Sequence, residues 1–256
     1  MTERPLFGVR IMVTRPCDAQ DPLSAQLIAL GAEVILQPAI EIAPPADWQP
    51  VDAALARLNE FDWLVFSSVN GVRYLLNRVG EAHRPKLPKN VKLAAIGPGT
   101  AEELARYGQR ADVVPDQFRA EALAEALLRV ARDRRFLLAR ASRGREVLAE
   151  QLAAAGGIVE QIVVYSSRDV EAADPEVVAR LRAGQIDWIT VTSSAIARSL
   201  GRLFGNDLRR AKLASISPIT SATLRELGYE PAAEAASYTM SGLAAAIVGE
   251  LARQSR

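Results

Sequence analysis

The stretch DWLVFSSVNGVRYLL at residues 62–76 has a counterpart further along the chain, DWITVTSSAIARSLG at residues 187–201. In both, a short apolar run leads into serines and then into a segment whose apolar residues have helical spacing. An apolar run this short and continuous is typical of a strand that is buried on both faces. We therefore predict the same unit twice: a buried strand, a turn with hydroxyl side chains, and a helix.

The similarity between the two halves extends beyond this unit. KLAAIGPGTAEELARYG at residues 92–108 matches KLASISPITSATLRELG at 212–228, and VRIMVTRP at 9–16 matches RRFLLARA at 134–141. Three matching blocks in the same order indicate an internal duplication. Because strands and helices alternate with short turns, each copy is expected to form a parallel sheet with helices on both faces. The predicted fold class is α/β, with two similar domains.

The elements of the first half are predicted from their apolar spacing. We predict strands at residues 10–14, 33–40, 62–66, 93–96 and 112–114. We predict helices at residues 22–30, 51–58, 70–79, 99–107 and 120–131. Glycines stand where helices of both halves should end, and we expect left-handed conformations there, at Gly31, Gly108, Gly156 and Gly228.

Length and composition exclude several classes of protein. A chain of 256 residues is long for one core and favours two domains. The formal net charge of +1 gives no broad positive surface for nucleic acid. No apolar run approaches the roughly 20 residues of a membrane span, and MTERPLFGVR at residues 1–10 lacks the apolar core of a signal peptide. We expect a soluble protein that binds neither nucleic acid nor membrane.

Cysteine and histidine each occur once, as Cys17 and His83. A single cysteine excludes an internal disulfide and suits a reducing compartment, so we expect a cytoplasmic protein. One cysteine and one histidine form no metal-binding cluster, and we expect no metal. Cys17 has no histidine near it in sequence to activate it, and His83 lies in a polar, loop-like stretch, so we expect neither to be catalytic.

Small and hydroxyl residues follow the predicted strands repeatedly. In parallel sheets, ligands bind at the carboxyl ends of strands, where helix N-termini offer free N–H groups to a carboxylate or phosphate. Each serine or threonine taken alone is more simply explained as a helix N-cap, worth about 1 kcal/mol. As a duplicated set at one edge, they favour ligand binding. The predicted substrate-binding residues at these turns are Thr14, Ser67, Ser68, Val69, Asn70, Gly97, Pro98, Gly99, Thr100, Thr192, Ser193, Ser194, Ser217, Thr220, Met240 and Ser241.

The sequence carries no complete nucleotide-binding motif. The Gly97-Pro98-Gly99 turn lacks the third glycine and the acidic residue of a dinucleotide fingerprint, and there is no GxxxxGK[ST] loop. We therefore expect no nucleotide cofactor.

Arginines and one tyrosine are the other candidates. Arg15 and Arg140 end the first strand of each half, and Arg143 and Arg145 follow soon after the second. A guanidinium can bind a carboxylate through two hydrogen bonds, and we predict that Arg15, Arg140 and Arg145 bind substrate; the alternative is a solvated or helix-capping role. Tyr165 ends a β-rich run. Its phenol, with an ordinary pKa of about 10, would donate a proton or a hydrogen bond; the alternative is a core tyrosine.

Taken in order, these motifs resemble those of the uroporphyrinogen-III synthase family. The resemblance rests on VTRP, GAEV, DWLVFSS followed by NGV, AAIGPGTA, LLAR followed by GRE, VY at Tyr165, ITVTSSAI and SISPITSATLRELG. Each motif is degenerate, but their order and spacing are specific and cover essentially the whole chain. Ser217 and Ile219 stand where the family usually has glycine and threonine, so direct ligand contact is less expected there.

This resemblance implies two similar Rossmann- or flavodoxin-like α/β domains with parallel sheets, whose first segments are exchanged. Residues 1–39 and 167–256 would form one domain and residues 40–166 the other. A two-segment β hinge near residues 38–45 and 162–169 would join them. The two DW…SS units would then line opposite walls of a cleft between the domains, a favoured place for a ligand.

The resemblance also implies an enzyme of the lyase class that acts without a cofactor. The family closes the linear hydroxymethylbilane to uroporphyrinogen III, with loss of water and inversion of ring D, in tetrapyrrole biosynthesis. Tyr165 would donate a proton or hydrogen bond to the departing hydroxyl. Ser68, Thr100, Ser193 and Thr220 would hold the acetate and propionate arms, so that catalysis is chiefly by positioning. A monomer is implied, in transient contact with the preceding bilane-forming enzyme.

Two other functions would use the same features. A non-catalytic, two-lobed cytoplasmic module would bind a small polyanionic ligand at the same turns and release it unchanged. A sugar-nucleotide transferase also has two Rossmann-like lobes, but such enzymes are usually longer and carry nucleotide-contacting acids that we do not find in this sequence.

Overall fold

A computed structural model describes residues 4–16, 21–81 and 87–254, so that Cys17 and His83 lie outside the described residues. The strands are β1 Arg10–Val13, β2 Glu33–Leu36, β3 Ile40–Ala43, β4 Trp63–Phe66, β5 Lys92–Ala95, β6 Arg135–Ala141, β7 Ile158–Asp169, β8 Trp188–Val191, β9 Lys212–Ser215 and β10 Ala233–Glu234. The helices are α1 Pro22–Ala29, α2 Gln49–Ala56, α3 Val69–Glu81, α4 Pro98–Arg106, α5 Ala120–Leu128, α6 Val147–Ala154, α7 Pro175–Arg182, α8 Ser194–Phe204, α9 Pro218–Glu226 and α10 Met240–Gln254.

The chain forms two compact units. Unit 1 consists of Met1–Glu41 with Arg168–Arg256, and unit 2 of Ile42–Ser167. The chain therefore leaves unit 1 within β3 and returns within β7. These two strands are neighbours in the sheet that unit 2 carries.

Unit 1 contains a five-stranded sheet with the order β10-β9-β8-β1-β2, and its neighbouring strands pair in parallel. β1 is an interior strand, with β8 on one side and β2 on the other. Its residues Ile11, Met12 and Val13 are fully buried, as expected for a parallel strand covered on both faces. Trp188 and Leu243 belong to the same core, which α1 and α10 cover.

Unit 2 contains a sheet with the order β3-β7-β6-β4-β5, in which β7, β6, β4 and β5 run parallel. Alternate residues of β4 enter different cores. Leu64 and Phe66 belong to one apolar cluster, and Trp63 and Val65 to the other. The prediction that the DW stretches contain a strand buried on both faces is confirmed, and so is the α/β class with parallel sheets.

The aspartate and tryptophan of the repeated stretch lie at the amino ends of the strands. An Oδ2 of Asp187 accepts a hydrogen bond from the Arg10 backbone N–H at 2.8 Å, and Asp62 accepts one from the Arg135 N–H at 2.8 Å. Each carboxylate thus binds the first N–H of a neighbouring strand. The two indoles are buried, with the ammonium groups of Lys92 and Lys212 above their rings. The aspartate and tryptophan of each repeated stretch therefore stabilise the sheets.

Three predicted elements are wrong in some respect. The strand predicted at residues 33–40 is two strands: β2 ends at Leu36, Pro38 interrupts the pattern because it has no N–H to donate, and β3 begins at Ile40. At residues 112–114 only Val113 forms a β-bridge, to Ala94, and Pro115 follows soon after.

The helix predicted at residues 120–131 ends at Leu128, and the chain turns before β6. The other predicted elements of the first half agree with the structure to within two residues at each end. The four glycine caps are confirmed, since φ is +100° at Gly31, +68° at Gly108, +86° at Gly156 and +82° at Gly228.

Candidate functional site

In unit 2, the predicted turns follow two adjacent parallel strands. Ser67 and Ser68 come directly after β4, and Gly97 to Thr100 come after β5, so both turns lie at the carboxyl edge of the sheet. Ser67 is exposed, and Ser68, Val69 and Asn70 are half-buried. Ser68 Oγ accepts a hydrogen bond from the Gly71 N–H at 3.0 Å, which orders the start of α3.

The second turn of unit 2 starts α4. Gly97 is its N-cap residue and is buried. Phe118 packs so close that an added Cβ at Gly97 would meet its side chain at 3.0 Å. Gly99 is exposed, whereas only 4% of Thr100 is exposed. The turn therefore presents Pro98 and Gly99 outward, and the Thr100 hydroxyl lies inside.

Tyr165 reaches this edge through an irregularity in β7. Arg140 pairs with Val163, but the next residue of β6, Ala141, pairs with Tyr165, so Val164 is one extra residue in β7. In a regular strand, Val164 and Tyr165 would face opposite sides of the sheet. With this bulge both are buried in the same apolar cluster.

The phenol of Tyr165 has two further contacts in unit 2. Its OH lies 3.1 Å from Ser68 Oγ, and its ring stacks on Tyr74 with 5.8 Å between centroids. Burial raises the pKa of Tyr165 above 10.0, and the hydrogen bond with Ser68 opposes this only partly. The phenol therefore keeps its proton at neutral pH and can donate it. The structure thus joins Ser68 and Tyr165, which the sequence separates by almost a hundred positions.

In unit 1, the predicted hydroxyls cap helices at the carboxyl edge of the sheet. Ser193 Oγ accepts from the Ile196 N–H at 3.2 Å, and Ser217 Oγ accepts from the Thr220 N–H at 3.4 Å. The N-cap interpretation of these two serines is therefore correct. A capping hydroxyl accepts a hydrogen bond through its oxygen and keeps its own proton as a donor, so capping does not preclude ligand binding.

The remaining predicted residues of unit 1 differ in exposure. Thr192 and Ser194 are half-buried, and Ser194 Oγ accepts from Thr223 Oγ1 at 2.9 Å. Thr220 is buried, with 2% exposure. Met240 packs partly against the core, while Ser241 is exposed at the start of α10.

Thr14 is a correction to the predicted site. Its side chain is fully buried, and its hydroxyl donates to the Thr190 carbonyl oxygen of the adjacent strand. A fully buried side chain has no surface to offer a ligand, so Thr14 stabilises the sheet of unit 1.

The predicted arginines have partners within the protein. Arg15 pairs with Asp21 at 2.9 Å, Arg140 pairs with Glu146 and donates to Gln161 at 2.8 Å, and Arg145 pairs with Glu121. Arg143 donates to Ser167 Oγ at 3.2 Å. The hydrogen bond from Arg140 lowers the pKa of Glu146, and that from Arg145 lowers the pKa of Glu121. A ligand carboxylate would have to compete with these carboxylates.

A pocket of about 510 Å³ lies in unit 1 at the other edge of the sheet, around the amino ends of β8 and β9. It contains none of the predicted site residues. Its cations serve the fold, since Arg209 donates to the Gly228 carbonyl oxygen at 2.8 Å and Arg210 to that of Arg182 at 3.3 Å. Chemistry is better supported at the carboxyl edges.

Two observations bear on metals and membranes. Among residues 4–16, 21–81 and 87–254, no cluster of three or more His, Cys, Asp or Glu side chains could hold a metal ion. Within the same ranges, no helix has the length and apolar character needed to cross a membrane.

Sequence reasoning missed Tyr74 and the bulge at Val164. Tyr74 lies at a helical position that packs against the core, where an aromatic residue is common and does not indicate a function. The bulge depends on the pairing of β6 with β7, which no local pattern reveals. The available signal for Tyr74 was the duplication, because its counterpart in the second half is the small Ser199.

The fold and these turns define a class of two-unit α/β proteins with hydroxyl-bearing turns at the carboxyl edges of parallel sheets. The profile of the protein family described as "Uroporphyrinogen-III synthase HemD" matches residues 21–245. A uroporphyrinogen-III synthase of Synechococcus elongatus is 35% identical over 256 aligned residues, which cover 96% of this chain and 97% of that protein. One of Escherichia coli K12 is 26% identical over 230 residues, 86% of this chain and 92% of that protein.

Solved structures show the same fold. A mutant uroporphyrinogen III synthase of the extreme thermophile Thermus thermophilus has a TM-score of 0.65 at 18% identity, covering 96% of this chain and 99% of that chain. The uroporphyrinogen-III synthetase of Helicobacter pylori 26695 gives 0.65 at 18% identity, with coverage of 97% and 100%. The chain belongs to the uroporphyrinogen-III synthase family. The resemblance seen in the motifs is confirmed, and neither alternative function is favoured.

Proposed function

We propose that this chain closes the linear hydroxymethylbilane to uroporphyrinogen III, with loss of water and inversion of ring D, in tetrapyrrole biosynthesis. The observation that carries the proposal is the hydrogen bond between the phenol of Tyr165 and Ser68, at the turn that begins α3, in a member of this family. A synthase of this kind needs a proton donor and groups that hold carboxylates, and it needs no redox or nucleotide cofactor.

The first step breaks the bond between the terminal carbon and its hydroxyl. A pyrrole nitrogen of the substrate supplies the electron pair, which leaves an azafulvene on the organic fragment. Tyr165 donates its proton, or a hydrogen bond, to the departing hydroxyl. The pyrrole N–H proton that is lost as the azafulvene forms replaces the proton of Tyr165, or joins the departing hydroxyl itself, so the hydroxyl leaves as water. The raised pKa keeps the phenol fully protonated before the bond breaks, so its proton is present when the hydroxyl departs.

The second task is to fold the chain of pyrroles so that the last ring attacks through its substituted carbon. Positioning of this kind lowers the barrier mainly through entropy already lost on binding. In this proposal the exposed and half-buried groups at the carboxyl edges hold the acetate and propionate arms. They are Ser67 and the turn at Pro98 and Gly99 in unit 2, and Ser193, Ser217 and Ser241 in unit 1.

Buried Thr100 and Thr220 have a smaller role in this proposal than the sequence indicated. Their hydroxyls lie inside, so they order the turns whose backbone N–H groups meet the carboxylates. Hydrogen bonds to charged groups are worth about 1.5–3 kcal/mol each, so several of them suffice. The ion-paired Arg15, Arg140 and Arg145 assist only where a substrate carboxylate displaces their present partners.

The oligomeric state, the location in the cell and the contact with another enzyme are also proposals. We infer a monomer that acts in the cytoplasm, because a chain with one cysteine suits a reducing compartment. We also infer that it receives its substrate through transient contact with the preceding bilane-forming enzyme. Analytical ultracentrifugation, with and without that enzyme, tests both the monomer and the contact.

One assay tests the activity. The linear tetrapyrrole is generated in situ, the purified protein is added, the products are oxidised, and the type I and type III porphyrins are separated. Spontaneous closure yields type I, so we expect type III in excess only with the protein present. A binding module would release the substrate unchanged, and type I alone would overturn the proposed function.

A further inference from the structure

Tyr165 is held from two sides by one helix and the turn that precedes it. Its hydroxyl meets Ser68 at 3.1 Å, and its ring stacks on Tyr74, with 5.8 Å between centroids and 24° between the ring planes. Tyr74 lies in α3, which begins directly after Ser68. The stacked ring limits rotation of the Tyr165 side chain, and the serine then fixes where the phenolic oxygen lies.

The other unit shows that the fold does not need this ring. In the duplication, Arg73 and Leu75 correspond to Arg198 and Leu200, so Tyr74 corresponds to Ser199. Ser199 is fully buried in α8, and its hydroxyl donates to the Ala39 carbonyl oxygen.

Unit 1 therefore uses a small side chain at the position of Tyr74, and that side chain binds the bend between β2 and β3. By the same correspondence, Tyr165 matches Ile40. The pair of stacked phenols is thus present in unit 2 alone.

We propose that Tyr74 is a positioning residue for Tyr165. The proposal rests on the proposed function, in which Tyr165 donates to the departing hydroxyl. Tyr74 acts through its ring face, which holds the phenol of Tyr165 in the orientation that Ser68 completes. Its own hydroxyl plays no role, and it does not touch the reacting atoms.

The test compares Tyr74→Leu, which removes the ring, with Tyr74→Phe, which keeps it. Steady-state rates of type III formation are measured on purified enzyme. We expect kcat of Tyr74→Phe to lie within about twofold of the parent value. We expect kcat of Tyr74→Leu to be lower by about fivefold to tenfold, which is the interaction energy of an aromatic pair converted into a rate ratio. The KM should stay within about twofold, because the ring orients the donor and does not hold the substrate.

A second pair of variants separates positioning from a general structural role. In the Tyr165→Phe background there is no phenolic proton to place, so adding Tyr74→Leu should change kcat by less than about twofold. Should Tyr74→Leu fail to fold, Tyr74→Met replaces it, because methionine fills irregular space without a ring. Melting temperatures of all variants are recorded alongside.

Each result decides between the two proposals. Full kcat in Tyr74→Leu, an equal loss in Tyr74→Phe, or a loss that persists unchanged in the Tyr165→Phe background overturns the positioning role. Type I porphyrin alone from the parent protein overturns the proposed function. Type III from the parent together with full kcat in Tyr74→Leu leaves the function standing and removes the inference about Tyr74.

Discussion

At the scale of the residue, Tyr165 is distinguished by how it is held. For a tyrosine at the end of a β-rich run, periodicity alone favours a core position over a proton donor. Here the ring is core, with 8% of the residue exposed, and the hydroxyl is bonded to a serine at the carboxyl edge of the sheet. The same residue thus serves both interpretations, because a phenol has an apolar body and a polar end.

Removing the Tyr165 hydroxyl should slow the reaction without unfolding the protein. We expect Tyr165→Phe to lower kcat by about 100-fold, at the lower end for general acids, because the pyrrole nitrogens share the work of expelling the hydroxyl. The ring remains stacked on Tyr74, so the melting temperature should stay close to that of the parent. Rates and thermal melts of the two proteins check this. Unchanged turnover would remove the assignment of Tyr165.

The pH dependence of Tyr165 has a definite direction. Burial raises its pKa above 10.0, and a proton donor is active in its protonated form, so the donor should remain active throughout neutral and mildly alkaline conditions. We expect the ratio of kcat for parent and Tyr165→Phe to be constant from about pH 6 to pH 9. A ratio that falls towards unity below pH 9 would mean that the phenol loses its proton earlier than burial allows.

At the scale of the element, the repeated stretch contains two devices at opposite ends of one strand. The aspartate and tryptophan fix the amino end, where Asp187 binds the backbone and side chain of Arg10. The serines begin the next helix at the carboxyl end. Only the second device lies at the turns that we propose to bind substrate, so the first serves the fold alone.

The stabilising contact of Asp187 with Arg10, which we call the Asp187 clamp, should depend on pH. Hydrogen bonding from Arg10 lowers the pKa of Asp187 below 3.8, so the carboxylate stabilises the folded state above about pH 4, and the stabilisation is lost as pH falls through the folded-state pKa. We expect Asp187→Asn to lower the melting temperature by about 2–4 °C at pH 7.

The difference should shrink between pH 5 and pH 2 if the charge of Asp187 is responsible. Thermal melts across this range check it. Asp116→Asn is the matched control, because Asp116 is exposed, and its melting temperature should hardly change at pH 7. A gap that stays constant down to pH 3 would show that charge contributes nothing to the clamp.

Two glycines of α10 should respond oppositely to the same substitution. A Cβ at Gly242 would collide with the carbonyl oxygen of Ser237, whereas a Cβ at Gly249 would meet no atom within 4 Å. We expect Gly242→Ala to lower the free energy of unfolding by about 1–3 kcal/mol and Gly249→Ala to raise it by about 0.5–1 kcal/mol. Denaturant titration measures both. An equal gain in both variants would mean that the turn at Ser237 moves aside without cost.

At the scale of the whole molecule, the chain order and the order in space differ. Unit 2 is continuous from Ile42 to Ser167, whereas unit 1 is assembled from both ends of the chain. Its interior strand β1 comes from the first end, and its neighbour β8 from the second. The second end alone therefore lacks β1 and β2, two neighbouring strands of its own sheet.

This arrangement makes the two units unequal as fragments. We expect residues 42–167 to fold alone and melt cooperatively, because they contain nearly all of their sheet and its two apolar clusters. We expect residues 168–256 alone to be unfolded, since loss of β1 leaves Trp188 and its core without cover. Circular dichroism and thermal melting distinguish the two.

A flexible linker that joins residues 4–41 to residues 168–256 is the matched control for these fragments. It restores β1 and β2 to unit 1, and we expect the melting transition to return. Cooperative melting of residues 168–256 without β1 would contradict this account.

Much of the fold was predictable because its signals are local. The DW stretches indicated strands buried on both faces, and β4 divides its residues between two apolar clusters as expected. Gly31, Gly108, Gly156 and Gly228 were recognisable because left-handed caps favour glycine. The errors lie where local pattern and pairing disagree, as at residues 33–40, where one apolar run supplies two strands that belong to different sheets.

The kind of residue in the site was more predictable than which particular residues belong to it. Ser193 and Ser217 were placed correctly at helix starts, but nothing local distinguishes them from Thr14, whose hydroxyl is used inside the sheet. The partners of the predicted arginines could not be foreseen for the same reason. Arg145 and its partner Glu121 lie far apart in sequence, so the ion pair that occupies the guanidinium could not be anticipated.

By itself, then, the sequence determined the duplicated α/β architecture, the hydroxyl turns and the family, since these depend on residue type and on spacing along the chain. Tertiary structure alone decided which groups meet. The pairing of β6 with β7 inserts Val164 as an extra residue and turns Tyr165 towards Tyr74 and Ser68. A contact between residues almost a hundred positions apart depends on the register and packing of whole elements, and no local pattern encodes either.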